Sequence, residues 1–343
     1  YLKKIKAFRK VVFIFSRSVI NNMDNGETFY TVIGIIYVFV LITTAVFSAL
    51  TMLIFMCNWK AHYRSTTNLL IINSTIAFLT FSLAFSSQIT YLFHPNEHET
   101  NNILTTSCRI RGYVCLIACV VKTSAYLSQA FSRYFITVLN QHRRLLTFRT
   151  HIIMIIMNWL YGMILSSLML ISPIAFQYEV ESRFCILTGK IFGTSFTLMC
   201  LAFVVPVWII ILLYGLIVWH MTCIDRTRLN AASIKNNKRN VKVFQNILVL
   251  ILIVVVGGTP YLSLIILNCI LTVPWPLYSI SILCIAFSAC IESVTIFFTN
   301  EDIRKILSAK MTYWQRYHIR TAIVPSERTM PNTTTARILP RLS

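Results

Sequence analysis

The chain is 343 residues long, 56% hydrophobic and only 12% charged, with a mean hydropathy of +0.69. A water-soluble domain carries about 25% charged residues, so a soluble fold is excluded and lipid must be the solvent for most of this chain. The net charge of +20, from 31 basic and 11 acidic residues, would suggest nucleic acid in a soluble protein. Here the basic residues fall mainly in loops and tails, where a membrane protein meets anionic lipid, and nucleic acid is not expected as a partner.

Residues 1–27 form a basic tail carrying Lys3, Lys4, Lys6, Arg9, Lys10 and Arg17. Residues 2–20 read as a basic amphipathic helix for a membrane surface. Tyr1 rather than a methionine opens the chain, so a start further upstream is expected. A membrane helix needs roughly 20 apolar residues. Residues 28–59, 66–93, 108–139, 151–176 and 191–224 supply the first five spans. The uncharged stretch 243–291 is too long for one span, and Thr272-Val273-Pro274-Trp275-Pro276 divides it into a sixth and a seventh, because prolines break helices and favour turns. Residues 300–311 follow, with Ile303, Ile306 and Leu307 at helical spacing, and read as an amphipathic helix lying on the membrane. Residues 312–343 are a tail with Ser and Thr positions open to phosphorylation. The expected fold is thus an all-α membrane protein: a seven-helix bundle over residues 28–299 and a short eighth helix.

Orientation follows from charge. With the loops after the first, third and fifth spans and the C-terminal tail inside, that face carries about 20 Lys and Arg, and the other loops carry four, Arg109, Arg111, Arg183 and Lys190. The C-terminus is therefore expected in the cytoplasm and the N-terminus outside. The basic N-terminal tail opposes this reading. Most of the ten cysteines lie inside apolar runs, where they act as small packing residues. Two charges lie in the middle of spans, Lys122 in the third and Glu292 in the seventh. An unpaired charge there costs several kcal/mol. Lys122 is roughly 16 Å above Arg133, and Glu292 roughly 12 Å above Asn300, at 1.5 Å per residue. Their depths are similar, and an interhelical ion pair is expected.

In order along the chain, these residues resemble the rhodopsin-like G-protein-coupled receptors over roughly residues 28–311. The resemblance rests on Asn68-Leu69-Leu70-Ile71-Ile72-Asn73, Cys108, Ser132-Arg133-Tyr134, Trp159, Cys185, Pro206 with Tyr214, Pro260, and Asn300-Glu301-Asp302-Ile303-Arg304. The departures are as informative. Ala49 stands where the family has an asparagine, Phe78 where it has the sodium-binding aspartate, and Ser132 where it has the acid before arginine. Gly258 replaces a tryptophan, and Glu292-Ser293-Val294-Thr295-Ile296 replaces Asn-Pro-x-x-Tyr.

The resemblance implies a disulfide between Cys108 and Cys185, on the face where a disulfide persists. It implies that Ser132, Arg133, Tyr134, Tyr214 and Pro260 form the activation switch and G-protein coupling site. Gly257 and Gly258 are expected to loosen the kink at Pro260. It places Lys122 and Glu292 in the cavity that binds sodium in other members, with the lysine ammonium standing in for the ion. It puts a ligand pocket at Gln88, Tyr91, Arg111, Cys115, Cys119, Tyr261, Ile282 and Ala286. Cys115 stands where monoamine receptors carry aspartate, and Ala286 where opsins carry the retinal lysine, which argues against both ligands. A neuropeptide or small chemosensory ligand is expected outside and a heterotrimeric G protein inside, at the plasma membrane, with the basic loop of Arg226, Arg228, Lys235, Lys238, Arg239 and Lys242 facing either anionic lipid or the G protein itself. A seven-helix binder or scavenger that no longer signals stays open, as does a transporter. Neither an enzyme, a metal nor a cofactor is expected: the sequence has no metal-ligand cluster, phosphate-binding glycine loop or nucleophile motif, and its seven histidines are scattered.

Overall fold

In the computed structural model, the described residues are 26–58, 65–93, 102–171, 175–179, 182–187, 192–225, 231–268, 270, 275–300, 302–309 and 311. Among them, seven helices are long and apolar enough to cross a membrane. The first span is α1 (Gly26–Cys57). The second is α2 (Thr66–Ser86), continued by the short α3 (Ile89–Phe93). The third is α4 (Asn102–Thr137) and the fourth α5 (Phe148–Leu170). The fifth comprises α6 (Phe192–Met199), a π-helical turn (Cys200–Val204) and α7 (Val205–Asp225). The sixth is α8 (Ala231–Asn268) and the seventh α9 (Trp275–Thr299).

The spans form a closed ring in which the first packs on the second and seventh, and the sixth on the seventh. The third span runs through the middle, against the second, fourth and fifth. Its inward residues Ala118, Val121, Ala125 and Ala130 are almost wholly buried. Large apolar side chains such as Phe39, Trp208 and Leu252 point outward, which is stable only when lipid replaces water.

Three boundaries differ clearly from the expectation. The third span's helix opens at Asn102, not 108. The fourth span ends at Leu170, not 176, because Phe176 opens a strand. That strand, β1 (Phe176–Glu179), pairs antiparallel with β2 (Phe184–Leu187), Tyr178 opposite Cys185. Backbone at this depth of a loop meets its hydrogen-bonding need by pairing with itself. The hairpin turns at Arg183, whose φ of 55° is left-handed, and whose N–H donates to the Glu179 carbonyl at 2.7 Å. The sixth-span helix begins at Ala231, ahead of residue 243, so the run of lysines and arginines is helical rather than a loop. Pro260 lies inside this helix and cannot donate to the carbonyl of Val256. The hydroxyl of Thr259 donates to that carbonyl at 3.4 Å.

Residues 302–309 form a separate short helix, within the range expected for the amphipathic one. The Asn300 side chain accepts from the backbone N–H groups of Asp302 and Ile303 at 2.9 and 3.3 Å, the bonding of an N-cap. The basic N-terminal tail to residue 25, Arg226 and Arg228, the turn at 272–274 and the tail from 312 lie outside the described residues, as do the side chains of Lys235, Lys238, Arg239, Asn240 and Lys242.

Candidate functional site

One end of the bundle is covered by the hairpin. Cys108, near the start of the third span, is disulfide-bonded to Cys185 of β2. Gly112 lies one turn further on, and a Cβ there would meet the ring of Phe176 at 2.8 Å and the Cys185 carbonyl at 3.1 Å. Only glycine lets the hairpin lie this close to the helix. Gln88, fully buried, clamps the other side: its amide nitrogen donates to the Cys185 carbonyl at 3.0 Å, and its oxygen accepts from the Cys185 N–H at 3.1 Å.

Gln88 stands where the second-span helix breaks, and that break is held from the third span. Arg111 donates to the Ser87 carbonyl at 2.6 Å and to the Thr90 hydroxyl at 3.0 Å, and lies over the Tyr91 ring. Arg109 donates to the carbonyl of Leu170 at the end of the fourth span. Arg183 donates to the Leu92 carbonyl and stacks on Tyr30, 3.8 Å from its centroid. These arginines tie helix ends and lid together.

Beneath the hairpin is a cavity enclosing about 910 Å³ not filled by atoms, part of it open to solvent. Ile186 and Leu187 of β2 form its roof, and Val254, Gly258 and Tyr261 of the sixth span one wall. Of the residues expected to form a pocket, Cys115, Cys119, Tyr261 and Ile282 line it. Gln88, Tyr91, Arg111 and Ala286 do not. Gln88 donates to the Cys185 carbonyl and to Cys115 Sγ, Arg111 to the Ser87 carbonyl and the Thr90 hydroxyl, Tyr91 packs with Tyr178 beside the disulfide, and Ala286 is sealed in the helix core. Their side chains hold the lid and the bundle rather than face the cavity.

Lys122 and Ser288 line the same cavity. The Lys122 ammonium is 3.4 Å from Glu292 Oε1, donates to Ser288 Oγ at 3.3 Å, and lies 5.3 Å from the Phe81 centroid. The Tyr126 hydroxyl donates to Glu292 Oε2 at 2.7 Å, and Ser288 donates to Oε1 at 3.0 Å. Glu292 is wholly buried and Lys122 only 5% exposed. A buried charge of either sign would be costly alone; two together, with hydroxyls on the remaining lone pairs, are compensated. Tyr126 and Ser288 complete the arrangement, and their positions in apolar runs gave no sign of it. Gly257 lets the sixth span reach this cluster: a Cβ there would collide with the side chain of Ser288. The glycine pair beside Pro260 therefore serves close helix contact, with Gly258 against the ring of Phe203.

At the C-terminal end of the third span, Ser132 is buried, while Arg133 and Tyr134 are half-buried. Arg133 lies within electrostatic reach of the buried Tyr214. Ser132 meets a residue that the sequence did not single out. Its hydroxyl is 2.8 Å from Nε2 of His151, a fully buried residue of the fourth span. The other ring nitrogen, Nδ1, is 2.9 Å from the Thr147 carbonyl. A carbonyl only accepts, so Nδ1 carries the proton, and in the neutral ring Nε2 accepts from Ser132. Two further links stitch the second span to its neighbours: Trp159 Nε1 donates to Asn73 Oδ1 at 3.0 Å, and Gln129 to Ser74 at 2.7 Å. Among the described residues no group of three or more His, Cys, Asp or Glu could hold a metal ion.

Comparison with solved structures finds the crystal structure of squid rhodopsin, with a TM-score of 0.69 and 18% identity, covering 84% of this chain and 87% of that one. The likeness establishes the fold. Comparison with curated proteins finds no match. Residues 49–295 match the family described as 7 transmembrane receptor (rhodopsin family), a stretch that includes the disulfide, the cavity, the ion pair and Arg133. The chain belongs to the rhodopsin family of seven-transmembrane receptors, signalling receptors rather than enzymes.

Proposed function

We infer that the chain is a plasma-membrane receptor that passes binding of an extracellular ligand to a heterotrimeric G protein, with its N-terminus outside and its C-terminus in the cytoplasm. The observation that carries this reading is the layout of the third span. Its outer end bears Cys108 under the lid, its middle lines the cavity through Cys115, Cys119 and Lys122, and its inner end presents Arg133 beside Tyr214. One rigid element thus connects a largely apolar cavity to the residues that the family uses for coupling. The excess of Lys and Arg on the inner side supports the orientation. Exposed Arg143, Arg144 and Arg149 stand there for anionic headgroups.

G-protein dissociation in cells, over a panel of subtypes with surface levels matched, tests the reading. The unaltered chain is expected to signal above mock cells and Arg133→Ala to lose that signal. Equal signal from both would sink the role of Arg133.

One observation favours a second reading, a seven-helix binder that no longer signals. Ser132 is engaged by His151, and the sodium-site region is closed by Lys122–Glu292. Both contacts hold the resting arrangement. A chain that binds ligand yet dissociates no G protein of any subtype would establish that reading instead.

A further inference from the structure

We propose that the cavity takes an uncharged, largely apolar ligand with a hydrogen-bond acceptor, which the Lys122 ammonium meets at its deep end. This rests on the receptor reading above and names its ligand class. The cavity walls are mainly aliphatic, aromatic and thiol side chains. Its roof is a hairpin fixed at Cys185 by a disulfide and a two-bond amide clamp. An apolar cavity under a fixed roof fits a small molecule better than a peptide.

The polar groups in the wall decide the rest. Thr123 already donates to the Cys119 carbonyl at 3.1 Å, and Ser288 donates to Glu292. An ammonium has three donors, and Lys122 has two acceptors, Ser288 and Glu292, both long at 3.3 and 3.4 Å. One proton is left for a guest. The cavity thus offers a donor and asks for an acceptor.

Charge sets the remaining condition. Glu292 does not line the cavity; it lies behind Lys122 and accepts from Tyr126, Ser288 and Lys122. The pair is already neutral. A carboxylate guest would bring a further buried charge with no partner, and an amine would face an ammonium; either is costly away from water. A ketone, ester or ether oxygen adds no charge.

The test uses the full chain, purified, and its thermal unfolding midpoint. The probes are ketones, esters and ethers in a series of increasing chain length, each beside the alkane, carboxylate and amine of equal length. A saturable upward shift is expected from one or more of the neutral acceptors, and none from the matched alkane, carboxylate or amine. Cys119→Phe, which fills the cavity and leaves the ion pair in place, is expected to abolish the shift and controls for detergent partitioning. Lys122→Leu combined with Glu292→Gln removes the ammonium without stranding a charge, and is expected to erase the preference for ketone over alkane. If that variant does not fold, the probe series on the unaltered chain decides alone. Equal shifts from alkanes, larger shifts from carboxylates or amines, shifts that survive Cys119→Phe, or no shift across the panel would each overturn the proposal. G-protein dissociation in parallel separates this from the receptor reading: binding without dissociation leaves the ligand class standing, and dissociation without binding removes it alone.

Discussion

At the scale of single residues, the positions that matter most are polar groups whose bonding is saturated inside an apolar bundle. Gln88 meets both backbone groups of Cys185, groups that β-pairing and water would otherwise have to serve. Gln88→Leu leaves a buried N–H and a buried carbonyl without their partner, at about 1–3 kcal/mol each. The purified variant is expected to unfold at lower temperature with its disulfide intact; an unchanged midpoint would show that the clamp carries no stability. His151 presents the same logic at the inner end. Ser132→Ala removes the donor to Nε2 and should cost about 1–3 kcal/mol. Ser132→Ala with His151→Leu removes both partners and should recover most of that loss, since an apolar pair of similar shape strands nothing. A double variant no more stable than Ser132→Ala would show that the bond is not what holds these spans. Neither role was legible beforehand. The resemblance puts Gln88 in a ligand pocket, and His151 reads as one of seven scattered histidines, because the partners lie 97 and 19 residues away and pair through tertiary contact only.

At the scale of elements, hydropathy was enough to find the spans, since lipid forces uncharged stretches of fixed minimum length. It misjudged ends where a helix continues outside the apolar layer or an apolar segment is not a helix. The sixth-span helix starts at Ala231 through a basic run, and Phe176 is buried in a hairpin. Beside Pro206 the fifth span has a π-helical turn at Cys200–Val204, where the N–H of Val205 reaches back to the Cys200 carbonyl. In that register the Leu201 carbonyl would look to the nitrogen of residue 206, which has no proton. The hydroxyl of Tyr161, on the fourth span, fills the gap at 2.8 Å. Tyr161→Phe should therefore cost about 1–3 kcal/mol. In a Pro206→Ala background the chain regains its own donor, and the same change should cost distinctly less. Thermal unfolding of the four chains gives the coupling, expected between about 0.5 and 3 kcal/mol for groups that share a partner. Strict additivity would break the link between the proline and the tyrosine.

At the scale of the whole molecule, the third span acts as the axis on which the lid, the cavity, the ion pair and Arg133 are strung over the 25 residues from Cys108 to Arg133, roughly 37 Å at 1.5 Å each. The depth arithmetic that set Lys122 level with Glu292 needed only this rise. The hydroxyls that complete the cluster needed coordinates, because Tyr126 and Ser288 sit in apolar runs where their types are unremarked. Lys122 and Glu292 fasten the axis to the seventh span, whose neighbours are the first and sixth, so a fault there loosens the ring as a unit. Lys122→Glu would set two carboxylates against each other, and Glu292→Lys two ammoniums. Removing one partner of a buried pair costs about 3–5 kcal/mol, a large share of a typical folding free energy of about 5–15 kcal/mol, and like charges cost more. Each single reversal is thus expected to lower surface staining steeply at equal total protein. The double reversal restores opposite charges at nearly the same separation. Ser288 can serve either charge, and the Tyr126 hydroxyl can accept from an ammonium as well as donate to a carboxylate. Surface staining of the double variant should therefore recover well above both singles, and a double variant no better than either would mean that the two charges do not depend on each other for folding.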